Sequence, residues 1–169
     1  MKKKGISGII ATMMMVGLVV IVTGVVFFFI NGIIDEQIEN SESCFGNLEK
    51  VTIDKDLTCL NSTSNELQFF INMGDIELTG LLVSVRGATE GKSFEINDGA
   101  SFSYLKKYGK SPGESLTVPG KNSGVTYVVK LAELGITDAD TIKIAPKIND
   151  VQCEVSDSTS SIDNCYLIN

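Results

Sequence analysis

The sequence predicts an α+β protein: a long N-terminal hydrophobic α-helix followed by an antiparallel β-sandwich of immunoglobulin-like shape. Two observations predict this fold. The stretch from Ile6 to Ile34 contains no charged residue, and from Leu48 onward apolar and polar residues alternate with the period of two that is typical of strands. At 169 residues, the chain has room for one such helix and one domain of ordinary size.

The apolar stretch is longer than a simple membrane crossing requires. As a helix, its 29 residues would be roughly 43 Å long, whereas the hydrocarbon core of a bilayer is about 30 Å thick. A helix that is apolar on every face is buried either in lipid or among other helices. Three lysines, Lys2 to Lys4, precede the stretch and favour a cytoplasmic N-terminus with the rest of the chain outside.

The junction between the lysines and the apolar stretch is itself informative. The segment 3–12, which reads KKGISGIIAT, resembles the class III signal peptide of archaeal type IV pilin-like proteins. In that family a membrane prepilin peptidase cuts after the small residue that follows the basic positions. The resemblance implies that Lys3 and Lys4 are those basic positions, that the scissile bond is Gly5–Ile6, and that Ile6 is the mature N-terminus.

The resemblance, which covers about the first 35 residues, and the residue pattern after it together divide the chain. We expect a cleaved leader, a filament-core or transmembrane helix, a hinge and an extracellular β domain, at 1–5, 6–40, 41–47 and 48–169 respectively. Archaeal pilins and archaellins carry β-rich ectodomains, in agreement with the predicted fold. One departure is that the apolar stretch lacks the glutamate that many type IV pilins carry, so assembly cannot be ascribed to a glutamate–amine contact.

Two other interpretations of the N-terminus compete with cleavage. A secretory signal peptide would have an apolar region of about 7–15 residues and a small-residue cleavage site after it, and neither is found here. A permanent membrane anchor is compatible with the hydropathy, because tilting absorbs part of the extra length. Gly17, Gly24 and Asn31 recur every seven residues, as in closely packed helices, but glycine is also common in membrane helices generally.

Short strands and turns fill the predicted ectodomain. A single helical turn is expected at Leu131 to Leu134, ended by Gly135. Turns are expected at Asn97-Asp98-Gly99, as a hairpin signal, and around Pro112 and Pro119. The segments with strand-like alternation are 51–53, 66–71, 81–85, 125–129 and 141–144.

All four cysteines follow the apolar stretch, on the side predicted to be extracellular, where disulfides persist. A turn-prone segment lies midway between Cys153 and Cys165, so a hairpin would bring these two together. That choice leaves Cys44 to pair with Cys59. The sequence thus predicts two local bridges.

Few residues suggest chemistry. The chain has no histidine, so the usual Ser-His-Asp arrangement and the commonest metal ligand are excluded, and we expect no enzyme activity, cofactor or metal. The pairs Asp54/Asp56 and Asp138/Asp140 are better explained as solvated turn residues than as calcium ligands. Asn61-Ser62-Thr63 is the single N-glycosylation sequon.

Surface charge limits the class of partner. The net charge is −7, which argues against a nucleic-acid surface. The one local basic patch is Tyr104 to Lys110, which could contact a glycan, an anionic surface or an acidic neighbour, or be simple surface decoration.

The resemblance implies a structural subunit that lies in the cell membrane as a precursor and is then part of an extracellular homo-oligomeric helical filament. Its partners would be the membrane, the class III prepilin peptidase and copies of itself, with adhesion as its role and an adhesion target that the sequence does not specify. The alternatives are a membrane-anchored extracellular binding module that does not polymerise, and a minor pilin.

Overall fold

A computed structural model describes the backbone of residues 6–165 and the side chains of residues 8–30 and 44–165. The chain divides into two compact units, Met1–Glu42 and Ser43–Asn169. The first contains most of helix α1, Ile6–Cys44, which is 39 residues long, or about 58 Å. The second is a β domain with a core of its own.

Helix α1 continues past the point at which the sequence predicts its end. It ends at Cys44 rather than near Asn40, so the first part of the expected hinge 41–47 is helical. Turn residues and a 3-10 turn, Leu48–Lys50, then lead into the first strand. Polar residues after Ile34 therefore end the apolar surface of the helix without ending the helix, because Glu and Gln are good helix formers.

The β domain contains ten strands and one short helix within the described residues. The short helix α2, Leu131–Leu134, ends at Gly135, whose left-handed backbone at φ 74° is the conformation that glycine adopts most readily. The strands are β1 Val51–Asn61, β2 Glu66–Met73, β3 Gly80–Gly87, β4 Gly91–Ile96, β5 Leu105–Lys107, β6 Gly124–Lys130, β7 Ala139–Ile148, β8 Val151–Gln152, β9 Asp157–Ser160 and β10 Asp163–Asn164.

These strands form two sheets. The first has the order β10-β1-β2-β6-β5, and the second has the order β4-β3-β7-β8 with β9 also paired to β7. Every pair is antiparallel except β1 with β10. All five segments predicted as strands lie in strands of the structure, and the predicted α+β layout is confirmed.

Alternating burial along the strands explains how the sheets enclose one core. In β2, Leu67, Phe69, Ile71 and Met73 are buried, while the residues between them are more exposed. Phe69 stacks on Tyr127 of β6, with ring centroids 5.5 Å apart. Apolar side chains from β3 and β7 of the second sheet complete the core: Leu81, Val83, Val85, Ile142, Ile144 and Ile148.

The turn at Asn97-Asp98-Gly99 forms, but not as a hairpin. Gly99 has a φ of 86°, as a turn glycine should. The strand before it, β4, pairs only with β3, whereas the next strand, β5, pairs with β6 in the other sheet. The turn is therefore part of a crossover between sheets. Local turn residues predict that the chain reverses but not which strand it then joins.

The predicted disulfide pairing is wrong. The bridges are Cys44–Cys153 and Cys59–Cys165, rather than Cys44–Cys59 and Cys153–Cys165. Their Cα atoms are 5.5 and 4.9 Å apart, within the usual range for a disulfide.

The physical reason is the path of the last strands. The segment between Cys153 and Cys165 does not fold back on itself, because β9 pairs with β7 of the second sheet and β10 pairs with β1 of the first. The register places Cys59 opposite Asp163, close to Cys165. Strand β1 meanwhile carries the chain away from Cys44. Both bridges are therefore long-range and crossed in the sequence.

Candidate functional site: the apolar helix surface and the ectodomain surface

The first candidate site is the surface of α1 over Gly8–Ile30, a segment of 23 residues that is long and apolar enough to cross a membrane. Its large side chains are exposed on every face of the helix. Phe28 is 79% exposed, and Met13, Met14 and Met15 are each 73% exposed. Because exposed apolar area of this extent is unfavourable in water, this surface requires lipid or protein around it.

The polar groups of this segment are satisfied within the helix itself. Its two polar side chains are Thr12 and Thr23. The Thr12 hydroxyl donates to the carbonyl of Ile9 at 2.9 Å, and the Thr23 hydroxyl donates to the carbonyl of Val19 at 2.8 Å. Such bonds back to the preceding turn let a threonine lie in an apolar environment. The segment can therefore be buried without leaving a threonine hydroxyl that lacks a hydrogen-bond partner.

The structure bears only in part on the residues that the resemblance singles out. Lys3, Lys4 and Gly5 lie outside the described residues, and Ile6 is the first residue of α1. A β-carbon added at Gly17 or Gly24 would meet nothing within 4 Å, so these glycines are open on the surface of the single chain. The side chain of Asn31 lies outside the described ones. The seven-residue stripe therefore remains a prediction.

The second candidate site is the beginning of the β domain. Cys44 packs against the core and is bonded to Cys153, whose backbone N–H donates to the carbonyl of Pro146 at 2.9 Å. Pro146 belongs to β7, in the centre of the second sheet. Seven residues after Cys44, the chain enters the first sheet at Val51. The entry to the domain is thus attached covalently to the second sheet and by β1 to the first.

Phe45 lies directly after this bridge and is 86% exposed. Two further apolar side chains of the domain, Leu57 and Val155, are exposed by 42% and 52%. Leu57 lies in a bulge of β1 between Asp54 and Cys59, where the pairing with β2 is interrupted. Single exposed apolar residues are normal on a protein surface, and these carry no functional assignment by themselves.

The predicted sequon lies at an edge of the first sheet. Asn61 is the last residue of β1, and its Oδ1 accepts hydrogen bonds from the backbone N–H groups of Thr63 at 3.1 Å and Ser64 at 3.2 Å. Ser62 and Thr63 are exposed, and Asn61 is half-buried. The sequon thus forms the turn between β1 and β2.

The basic patch from Tyr104 to Lys110 carries less free positive charge than its composition suggests. Lys106 pairs with Glu66 at 3.7 Å, and Lys110 pairs with Glu114 at the same distance. The Lys107 ammonium donates to the hydroxyl of Thr117 at 2.9 Å. Exposed ion pairs contribute little stability, but they offset the local positive potential. Two of the three lysines of the patch are therefore paired with carboxylates of the same domain.

Tyr108 is the exposed aromatic residue of this patch, at 69% exposure. Tyr104, in contrast, packs against Phe94 and Phe102, and partial burial raises the pKa of its phenol. Glu114, paired with Lys110, has a lowered pKa, chiefly because its carboxylate accepts a hydrogen bond from the backbone N–H of Ser111 at 3.0 Å. These are ordinary surface interactions rather than signs of a reactive site.

One aspartate of each pair accepts local hydrogen bonds. Asp54 Oδ1 accepts from the N–H groups of Asp56 and Leu57, at 3.0 and 3.3 Å, and so shapes the bulge in β1. Asp140 Oδ1 accepts from the hydroxyl of Thr141 at 2.6 Å. Among the described side chains, those of residues 8–30 and 44–165, no group of three or more acidic, Cys or His residues could hold a metal ion.

Sequence reasoning missed the last two strands, β9 and β10, which pair with the second and the first sheet respectively. Strand β9 reads Asp-Ser-Thr-Ser and has no apolar alternation, so nothing in its own composition marks it as a strand. It is nevertheless tied to the first sheet, because the backbone N–H of Ile53 donates to Asp157 Oδ2 at 2.8 Å. The spacing of the four cysteines does not reveal the long-range pairing, because Cys44 with Cys59 and Cys153 with Cys165 are each close in the sequence.

Comparison with known proteins adds no identification. Neither the models of known protein families nor the curated protein sequences give a match to this chain.

Proposed function

We propose that this chain is a structural subunit of an extracellular archaeal type IV pilus-like filament, with α1 in the filament core and the β domain on the outer surface. The main support for the proposal is that two features occur in the same chain. One is a helix whose apolar side chains are exposed on all faces over Gly8–Ile30, and the other is a compact β domain that has a separate, filled core.

The helix supports assembly because it suits two environments in succession. Before assembly, lipid covers its apolar surface. After cleavage at Gly5–Ile6, the same surface packs against copies of the helix, and the free energy of burial is retained in both states. A length of about 58 Å exceeds the roughly 30 Å of a hydrocarbon core, and the excess provides further surface for contact between subunits.

The β domain supports a position at the filament surface. Its apolar residues are largely inside its own core, and its disulfides close over long loops. Such a domain needs no partner in order to fold. In this proposal the subunit catalyses no reaction, and the filament acts by polymerisation and surface adhesion.

A second candidate function is a membrane-anchored extracellular binding module, and one observation favours it. Within Gly8–Ile30 the exposed apolar surface has the length of an ordinary membrane span. In that case the lysine leader would be retained and the chain would stay single. A minor pilin that primes or tips a filament is intermediate between the two.

N-terminal sequencing of the full-length chain, expressed in an archaeal host that has a prepilin peptidase, tests the proposal. We expect Ile6 as the first residue, and we expect sheared cell-surface filaments to contain the chain. Gly5→Leu should block cleavage and filament formation, because a bulky residue replaces the small one before the scissile bond. Gly8→Leu is the matched control, which makes the same change three residues later and should leave cleavage intact.

An intact lysine leader on a chain that runs as single copies in mild detergent would contradict the filament proposal and support the anchored module. Cleavage at Gly5–Ile6 without incorporation as the main filament component would support the minor pilin.

A further inference from the structure

The sequon at Asn61 is physically coupled to one of the two disulfides. Asn61 pairs with Glu66 in the ladder between β1 and β2, and Cys59, two residues earlier, is bonded to Cys165. On the other side of β1, the Nδ2 of Asn164 donates to the hydroxyl of Ser62 at 2.8 Å. Asn164 is the residue directly before Cys165. The middle residue of the sequon is therefore held by the segment that the disulfide fixes.

We infer that Asn61 is an N-glycan acceptor, and that glycan transfer to it takes place before the Cys59–Cys165 bridge closes. The inference rests on the proposed function only in placing the β domain outside the cytoplasm. A transferase must bind the sequon as an accessible peptide. Once the bridge has closed, the sequon lies in a turn between two paired strands, with β10 on the outer edge of β1.

In the folded domain three sets of contacts restrain the sequon, and the last of them involves the segment that the bridge fixes. The Oδ1 of Asn61 is held by the N–H groups of Thr63 and Ser64, the ladder fixes its backbone, and Ser62 is bonded to Asn164. Releasing the turn requires local opening of the strand edge. With Cys165 unbonded, the two residue pairs between β10 and β1 that the described chain shows no longer have a covalent bond beside them, so the edge opens at lower cost.

The order of synthesis leaves time for transfer before closure. Cys165 follows Cys59 by 106 residues in the chain. At synthesis rates of about 5–20 residues per second, Cys165 emerges roughly 5–20 s after Cys59. During this interval β10 is absent, and neither its hydrogen bond to Ser62 nor the disulfide can form. The sequon is then an exposed segment of an incomplete sheet edge.

The transfer is a simple substitution. The Nδ2 of Asn61 forms a bond to the anomeric carbon of an oligosaccharide carried on a lipid phosphate, and the bond between that carbon and the phosphate oxygen breaks. The lipid phosphate leaves with the electron pair, and one amide proton is lost to a base of the transferase. The co-reactant is thus a lipid-phosphate-linked oligosaccharide, and no oxidant or reductant is consumed.

A pulse-chase experiment tests the order of events. The full-length chain is expressed in an archaeal host that glycosylates Asn-x-Ser/Thr sequons, free thiols are alkylated at each time point, and peptides are analysed by mass spectrometry without reduction. We expect early chains to carry the glycan on Asn61 while Cys59 is still alkylated. Chains whose Cys59–Cys165 bridge has closed without a glycan should remain unglycosylated through the chase.

Matched cysteine variants separate this bridge from general loosening of the domain. Cys165→Ser removes the bridge next to the sequon, and Cys153→Ser removes the other one. We expect Cys165→Ser to prolong the period of transfer by about twofold or more and Cys153→Ser to leave it unchanged, because only the first releases the edge that holds Ser62. Asn61→Gln should carry no glycan at this site.

Four outcomes would overturn the inference. The first is glycan addition to chains that are already bridged, and the second is an equal effect of the two cysteine variants. Chains with closed bridges and no glycan at any time overturn it without touching the filament proposal. Chains with four free thiols and no glycan show that the β domain stays in the cytoplasm, and they overturn both.

Discussion

The same residue type meets opposite environments in the two regions of this molecule. Phe28 in α1 is 79% exposed, whereas Phe69 in β2 is completely buried and stacks on Tyr127. Most apolar residues of the β domain are buried in the core of that domain, whereas the large apolar residues of the helix are exposed. The β domain can therefore bury its apolar residues as a single chain, whereas the helix needs lipid or other protein to cover its apolar side chains.

The largest expected effect comes from separating the two regions. A chain consisting of Ser43–Asn169, which keeps all four cysteines, should be a soluble monomer without detergent. The full chain should require detergent or lipid, because its exposed apolar helix associates in water. Size-exclusion chromatography with light scattering measures this. A full chain that is monomeric in plain buffer would contradict the comparison.

Alanine substitutions at the two phenylalanines test the same contrast in the intact chain. Phe69→Ala should lower the free energy of unfolding of the β domain by about 3–5 kcal/mol, because it removes a buried ring and leaves a cavity. Phe28→Ala should change that free energy by less than about 0.5 kcal/mol, because Phe28 is not among the buried residues that form the domain core. Urea unfolding in mild detergent measures both. Equal losses for the two variants would show that the helix contributes to the domain core.

The disulfides should contribute somewhat less than the core. Replacing both Cys44 and Cys153 by serine should lower the free energy of unfolding by about 2–5 kcal/mol, because the bridge closes a long loop in the unfolded chain. The double change Cys59→Ser and Cys165→Ser is the matched comparison, with a separation of 106 rather than 109 residues. Peptide mapping without reduction must first show the crossed pairing. A map with Cys44–Cys59 would contradict the structure.

These bridges also show where prediction from sequence succeeded and where it failed. The apolar run from Ile6 and the alternation in 66–71 depend on neighbouring residues only, and both predict the correct element. The pairing of the cysteines depends on where β9 and β10 lie. Strand β9 joins β7 of the second sheet, and β10 joins β1, which lies more than 90 residues earlier in the chain. A turn-prone segment such as 157–161 cannot carry that information, because local turn chemistry is the same whether or not the flanking strands pair with each other.

The candidate sites also divide into those that depend on neighbouring residues, which the sequence predicts, and those that depend on distant contacts, which it does not. The sequon at Asn61 and the apolar surface of α1 are visible in the sequence, because each is contiguous. The contact of Asn164 with Ser62 joins residues separated by 102 positions, and no periodicity marks it. The basic patch was visible too, but the carboxylates of Glu66 and Glu114 that offset its charge became apparent only in the fold.

The smallest effect concerns a buried polar group in the otherwise apolar core. The hydroxyl of Tyr127 donates to the carbonyl of Thr117 at 2.6 Å. Burial, and to a lesser extent the charge of Asp98, raises the pKa of Tyr127 well above its ordinary value of about 10. The folded chain therefore keeps this proton at a pH at which the unfolded chain loses it. The resulting stability is fully present below about pH 10 and is lost as the pH rises toward the folded pKa.

Replacing this tyrosine by phenylalanine tests the effect. Tyr127→Phe should lower the free energy of unfolding by about 1–3 kcal/mol at neutral pH, because the Thr117 carbonyl loses its buried donor. It should also reduce the loss of stability between about pH 9.5 and 11.5, since no phenol remains at this site to ionise on unfolding. Tyr108→Phe, at a side chain that is 69% exposed, is the matched control and should keep the wild-type pH slope. Urea unfolding at several pH values measures both variants. If Tyr127→Phe retained the full alkaline slope, the loss would have to come from other groups, and the core of the β domain would hold no proton-linked site.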